Sequence, residues 1–239
     1  ILEEIDDAVD AYEKFKIAHG GKVNPKLNLE NNVEWCYHFR DMKKNPIEIR
    51  FTNLGKSVNS PNNDYRPVCD MFGNYVYFSS NRKGNIGAIV DGYGEIISDG
   101  YFTKKDTGYS KAKTLGTGIN TMYYEEPLQL NANGDKLLIS KEGGSISSPL
   151  YTSEINGKSF GKAVAINKFP ASKVDGACMT DDGNTIYFSA DLKGGKGGKD
   201  IWMTTLNSKN EWSDPVNLGD AVNTKYDENY VGYGREDVD

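Results

Sequence analysis

The sequence predicts a mainly β chain assembled from repeated units of four short strands and introduced by two α-helices. Three observations carry that reading. A helical period stops at residue 46, the composition is rich in turn residues and aromatics, and one sequence element returns at regular intervals. The chain has 239 residues, with 26 glycines, 15 tyrosines and 37% hydrophobic residues. Such a chain is too aromatic to be disordered and long enough to bury a core. Its formal net charge of -6 leaves no electrostatic footprint for nucleic acid, which is excluded as a partner. Apolar runs such as residues 163–166 are far shorter than the roughly 20 residues of a membrane-spanning helix.

The helices come first. Ile1, Ile5, Ala8, Val9, Tyr12 and Phe15 fall on one face of a helix over residues 1–19, and Gly20-Gly21 stops it. Leu29, Val33, Cys36, Tyr37 and Arg40 line one side of a second helix, from about residue 28 to residue 44, which Asn45-Pro46 ends. Neither helix buries its apolar face alone, so the two should pack on each other and on a further element. The chain starts without Met and without a charged-then-apolar leader, as a fragment or processed form would.

Beyond residue 46 the period changes to alternation. Ile47-Glu48-Ile49-Arg50-Phe51 alternates strictly and reads as a strand. Glycines beside Asn or Asp at Gly73, Gly134 and Gly183 read as tight hairpin turns. The domain boundary is expected near residue 46, with a helical segment over 1–46 and β units over 47–239.

The repeat is Leu-Gly-x-x-(Ile or Val)-Asn-(Ser or Thr), at Leu54-Gly55…Val58-Asn59-Ser60, Leu115-Gly116…Ile119-Asn120-Thr121 and Leu218-Gly219…Val222-Asn223-Thr224. The second gap, 103 residues, is about twice 51, and a degenerate copy sits midway at Ile166-Asn167…Ser172. Further markers hold the same phase. A pair containing an acid follows each copy: Asp64-Tyr65, Glu125-Glu126, Asp175-Gly176 and Asp227-Glu228. A turn glycine and an apolar strand ending in Ser79, Ser140 or Ser189 come next. Tyr109, Phe160 and Trp212 stand six residues before the following Leu or Ile. In the third unit the strands are read at 177–180, 185–190, 200–205 and 216–218. Four strands in about 40–50 residues is the size of a β-propeller blade. Tyr77, Phe78, Tyr187, Phe188, Ile201 and Trp202 are expected to pack between blades.

The run Asp175-Gly176-Ala177-Cys178-Met179-Thr180-Asp181-Asp182-Gly183-Asn184-Thr185-Ile186-Tyr187-Phe188-Ser189, followed by Gly197-Gly198-Lys199-Asp200-Ile201-Trp202, resembles the WD40-like PD40 propeller repeat. That repeat occurs in TolB-type propellers and in OmpA-type outer-membrane proteins of Bacteroidetes. Trp212-Ser213-Asp214-Pro215-Val216-Asn217-Leu218-Gly219 looks like the same family's blade connection. The passage from the helices into Leu54-Gly55 is similar to a junction between a tetratricopeptide (TPR) array and a propeller. The resemblance implies a periplasmic, outer-membrane-associated scaffold with protein partners in the cell envelope. It also implies proximity to peptidoglycan through a domain this sequence lacks. Family members usually have six blades, whereas residues 47–239 hold fewer than four units, and the first is lengthened over residues 85–100. In a TolB-like blade the acidic position precedes the innermost strand. Tyr65, Glu126, Asp175 and Asp227 would then ring one mouth of a central channel, where they could hold a cation or a basic peptide, or else cap backbone N–H groups between blades.

Catalytic chemistry finds little support. Both histidines, His19 and His38, lie in the helical segment, which excludes a His-dependent triad in the blades. The glycine-rich run 194–198 reads as a hairpin loop, because Lys199 leads into a strand rather than a phosphate-binding helix. Residues 180–185 lack the spacing and tryptophan of a sialidase Asp-box, and no EF-hand loop occurs. Cys36, Cys69 and Cys178 have no metal-site spacing and are expected in the core. No cofactor and no metal site is expected. The rival readings are a glycan-active propeller hydrolase, which needs a symmetry-breaking carboxylate pair, and a carbohydrate-binding module.

Overall fold

The computed structural model of the protein describes residues 4–22, 24, 29–46, 48–86, 89–143, 148–166, 174 and 176–234. The chain divides into two compact units, Ile1–Asn53 and Leu54–Asp239. In the first, α1 (Ile5–Ala18) and α2 (Leu29–Lys44) pack through Val9, Tyr12 and Val33, and the Tyr37 hydroxyl donates to Glu13 Oε1 at 2.7 Å. Gly20 and Gly21 stop α1 in left-handed conformation, and the Gly21 N–H bonds the Lys16 carbonyl at 2.8 Å. The strand expected at 47–51 does not form. Ile47 lies outside the described residues, residues 48–51 are irregular, and Ile49 and Phe51 are exposed. Alternation alone does not make a strand when no neighbouring edge takes up its backbone hydrogen bonds.

In the second unit, the strands among the described residues form three antiparallel sheets in sequence order. The first blade is β1 (Asp64–Cys69), β2 (Tyr75–Ser80), β3 (Asp99–Lys104) and β4 (Lys113–Thr114). The second is β5 (Tyr124–Leu130), β6 (Lys136–Glu142) and β7 (Leu150–Asn156), with β8 (Ser159–Phe160) and β9 (Val164–Ala165) both paired to β7. The third is β10 (Gly176–Met179), β11 (Thr185–Ala190), β12 (Asp200–Thr205) and β13 (Val216–Asn217), close to the strands read from the sequence. Hairpin glycines Gly73, Gly134 and Gly183 have φ of 65°, 70° and 67°, which Gly adopts without steric cost.

Apolar cores lie between successive sheets. Tyr77, Phe102, Leu115 and Ile119 of the first repeat meet Leu137 and Ile139 of the second blade. Leu138, Leu150 and Ile166 of the second repeat meet Met179, Ile186, Phe188 and Trp202 of the third blade. The expected packing residues Tyr77, Phe78, Phe188, Ile201 and Trp202 are buried, while Tyr187 is half-buried. Among the cysteines only Cys178 is in the core. Cys36 is half-buried and Cys69 exposed, because Cys69 ends an inner strand on the side away from the packed sheets.

The recurrent Leu-Gly element is a connector with a defined job. Gly55, Gly116 and Gly219 take φ of 82°, 81° and 72°, and their carbonyls accept the N–H of Asn59, Asn120 and Asn223. In the two copies that follow a blade, that turn drives the asparagine side chain into the sheet just completed. Asn120 Oδ1 accepts the Gly100 N–H at 2.9 Å and its Nδ2 donates to the Gly100 carbonyl at 3.0 Å. Asn223 repeats this on Ile201, at 2.7 and 3.0 Å. A buried amide thus stands in for one more rung of the ladder, which only Asn or Gln can do. Of the degenerate copy at Ile166-Asn167…Ser172, Ile166 is buried between the second and third blades, and residues 167–173 lie outside the described residues.

Candidate functional site

The first strands of successive repeats lie side by side and surround a cavity of about 450 Å³. Residues 66–68, 127–128, 176–177 and 230–231 wall it, and the walls are mainly apolar. Pro67 and Pro127 stand in inner strands at register shifts, between Tyr65 and Val68 and between Pro127 and Gln129. A proline there removes no donor that a neighbouring strand needs. Arg66 and Tyr230 line the cavity at φ of 51° and 58°, where side-chain-bearing residues rarely sit.

The rim is polar. Arg66 pairs with Glu126 across the first two blades at 2.8 Å. The Tyr65 hydroxyl donates to Ser98 Oγ at 2.8 Å, and burial pushes its pKa up. The Tyr124 hydroxyl donates to Asp91 Oδ2 at 2.8 Å, and burial together with that carboxylate pushes it up to about 12. Asp91 also accepts the N–H groups of Glu95 and Tyr93, which hold it below the usual carboxylate range. Asp91 belongs to the segment that lengthens the first repeat, and this segment carries the fully exposed Tyr93 at its turn. The first repeat therefore departs from the symmetry of the blades.

Of the four residues expected around the mouth, Tyr65 and Glu126 occupy equivalent ladder positions, opposite Ser79 and Ser140. Asp175 lies outside the described residues. Asp227 is exposed and two positions before the equivalent of Tyr65 and Glu126, and its Oδ1 accepts the Lys199 N–H at 2.9 Å. The acid that recurs in register is its neighbour. Asp64, Glu125 and Glu228 each stand four residues after a hydroxyl and accept from it: Ser60 Oγ at 3.2 Å, Thr121 Oγ1, and Thr224 Oγ1. The second strand of the preceding blade is also joined to this position, because Ser79 Oγ donates to the Glu125 carbonyl and Ser189 Oγ to the Glu228 carbonyl. This column closes the blade junctions. The Ser/Thr-x-x-x-(Asp or Glu) spacing was the signal that could have found it.

Each of the first two acids in the column has a cation. Arg82 reaches Asp64 Oδ1 at 2.6 Å and stacks over Phe78 and Tyr101, 5.3 and 4.6 Å from the ring centroids. Burial pushes Asp64 up, but the Ser60 N–H and the Ser80, Arg82 and Ser60 side chains outweigh it and hold the carboxyl low. Lys141 lies 3.4 Å from Glu125 Oε1 and donates to the Ile119 carbonyl. Burial pushes Glu125 up and Lys141 down, and their mutual attraction opposes both shifts. Among the described residues no group of three or more His, Cys, Asp or Glu side chains is placed to hold a metal ion.

Successive antiparallel meanders of four or five strands, stacked face to face with their first strands around a shared cavity, make the second unit an incomplete β-propeller; two helices precede it. No family model and no curated protein sequence matches the chain. Among solved structures it is similar to TolB from Acinetobacter baumannii, at 16% identity and a TM-score of 0.44 over 68% of this chain and 33% of that one. It is also similar to the GH74 enzyme of Niastella koreensis, at 10% identity and a TM-score of 0.30 over 63% of this chain and 29% of that one. The chain thus spans about a third of the length of either protein, and no activity or partner follows from these likenesses.

Proposed function

We propose that the chain is a non-enzymatic interaction module of a bacterial cell envelope, with a TPR-like helical segment at 1–46 and propeller blades over 47–239. In this reading the blades hold a rigid rim around the cavity, and an extended segment of a partner protein docks over it. The observation that carries the reading is the cavity itself. Its apolar walls, formed by Val68, Leu128 and Val231, are bordered by the Arg66–Glu126 pair. Such a surface suits a peptide with apolar side chains and a few polar groups better than a substrate undergoing bond cleavage. The carboxylates of the repeat column support the same reading, since their hydroxyl partners tie them to the architecture. The envelope location and the TPR character rest on the sequence resemblance alone. No helix among the described residues is long and apolar enough to cross a membrane.

The test is affinity capture from native envelope with the full chain, in parallel with Tyr230→Glu, which puts a charge on the cavity wall at an exposed position. The expected result is a defined partner held by the parent chain and lost by the variant, at unchanged melting temperature. Retention of the same proteins by both chains, or hydrolysis of a glycan panel by the parent, refutes the reading.

A further inference from the structure

The junction between the second and third blades is built from different side chains than the junction before it. Between the first two blades, aromatic rings fill the space. Tyr75, Tyr77 and Phe102 come from the first blade and Phe160 from the second, with the Phe160 ring edge-on to Tyr77 at 6.2 Å and to Phe102 at 5.1 Å between centroids. The ladders fix what stands at the same places one repeat later, counted from Ser79 and Ser140. Tyr77 pairs with Phe102 and Tyr75 with Lys104, whereas Leu138 pairs with Thr152 and Lys136 with Glu154. Phe160 stands opposite Ile155, and Trp212 opposite Leu206. Three of the four rings therefore give way to Lys136, Leu138 and Thr152. Only the aromatic from the following blade is kept, as Trp212.

The smaller side chains leave a pocket of about 440 Å³ at the second junction, a size within the roughly 300–1,000 Å³ range of small-molecule sites. Thr152, Val164 and Ala165 of the second blade wall it, together with Leu206 and Trp212 of the third. Trp212 is half-buried, since it packs against the core of this junction and also lines the pocket. Around the apolar floor stand donors and acceptors. Lys136 Nζ donates to the Gly183 carbonyl at 3.4 Å and lies 3.9 Å from Glu154 Oε1, so the ammonium spans the two blades. The Glu154 side chain is 73% exposed, and Glu211 is exposed while its Oε2 accepts from Asn207 Nδ2 at 3.3 Å. Each carboxylate has about four acceptor sites, so both keep capacity for a ligand.

We infer that this pocket binds one pyranose unit of a neutral glycan, stacked on Trp212 with its hydroxyls at Lys136, Thr152, Glu154 and Glu211. A pyranose has apolar C–H faces and a perimeter of hydroxyls that both donate and accept. That matches an indole floor bordered by an ammonium, a hydroxyl and two carboxylates. A basic side chain would be drawn to the indole and the carboxylates but pressed against Lys136. A purely apolar side chain would strip water from these charges and return no hydrogen bond. The pocket lies among outer strands, apart from the cavity at the inner strands, so the inference does not rest on the peptide-docking reading.

The experiment titrates the full chain by calorimetry with the methyl glycosides of glucose, mannose and N-acetylglucosamine, and with β-1,4-linked tetrasaccharides of glucose and of N-acetylglucosamine. At least one of these should bind saturably at a single site. Trp212→Ala should weaken that binding by about tenfold or more, and the exposed change Glu211→Gln by roughly tenfold. Thr152→Phe restores the ring that Phe102 supplies at the first junction. It should abolish binding at an unchanged or raised melting temperature, which separates a filled pocket from a lost fold. Failure of every sugar to bind would overturn the inference. So would binding that survives Thr152→Phe in a chain that still melts cooperatively, or arginine methyl ester binding there in place of the sugars.

Discussion

The two outward flanks of the blade unit end in opposite ways. At the first blade, Val58 covers Val76, Phe78 and Tyr101, and Arg82 lies across both rings while paired with Asp64. There a charged side chain shields apolar surface with its stem and guanidinium plane. At the third blade the equivalent surface is left half-exposed, and among the described residues no lysine or arginine forms an ion pair with Glu228. Identical repeat chemistry therefore gives a closed face or an open one, depending on what the neighbouring segment adds. The intrinsic design of a blade does not decide it.

The largest test of that contrast uses one position twice. Ile119→Ala removes a side chain wholly enclosed between two blades and should cost about 2–5 kcal/mol in urea or thermal unfolding. Val222→Ala, the same position at the open flank, should cost no more than about 0.5 kcal/mol. Comparable losses at both would mean that the third flank is already covered in solution.

Arg82→Ala should rank next. It strips a cation from Asp64, uncovers two rings and removes a donor from the Val58 carbonyl at 2.9 Å, for a loss of about 2 kcal/mol. Arg82→Lys should recover only part, because a lysine cannot reach Ser80 Oγ, Asp64 and the rings at once. Denaturant titration of the three chains gives the order directly.

Repetition made the architecture legible. Glycine turns, serine strand ends and Leu-Gly connectors keep one phase, so the strands of the third blade could be placed within a residue or two. The site was harder to read because its decisive contacts are not periodic in the chain. Asn120 bonds Gly100, twenty positions earlier, and no local pattern announces that pairing. Each acidic pair offers adjacent residues, and only the hydroxyl four positions before selects Asp64, Glu125 and Glu228 over Tyr65, Glu126 and Asp227. Arg66 and Arg82 were passed over because both stand outside the repeat, one at a strained bulge and one just after a strand. Residues 48–51 show the converse error, a good pattern with no sheet edge to join.

A pH-dependent effect concerns the first junction, where one cation serves two acids. Burial raises Asp99 to about 6, against the Ile86 N–H and the attraction of Lys141, which is already engaged with Glu125. Since the folded pKa lies above the unfolded value of about 3.9, the folded state holds this proton more tightly. Its contribution to stability is complete below about pH 4 and is lost as the pH rises through 6. Asp99→Asn should therefore stabilise the protein at pH 8 relative to its effect at pH 4.5, by roughly 2 kcal/mol. Urea unfolding of both chains at the two pH values measures it. A variant equally destabilised at both would show that Asp99 serves the junction as an ion, with Lys141 shared between the two carboxylates.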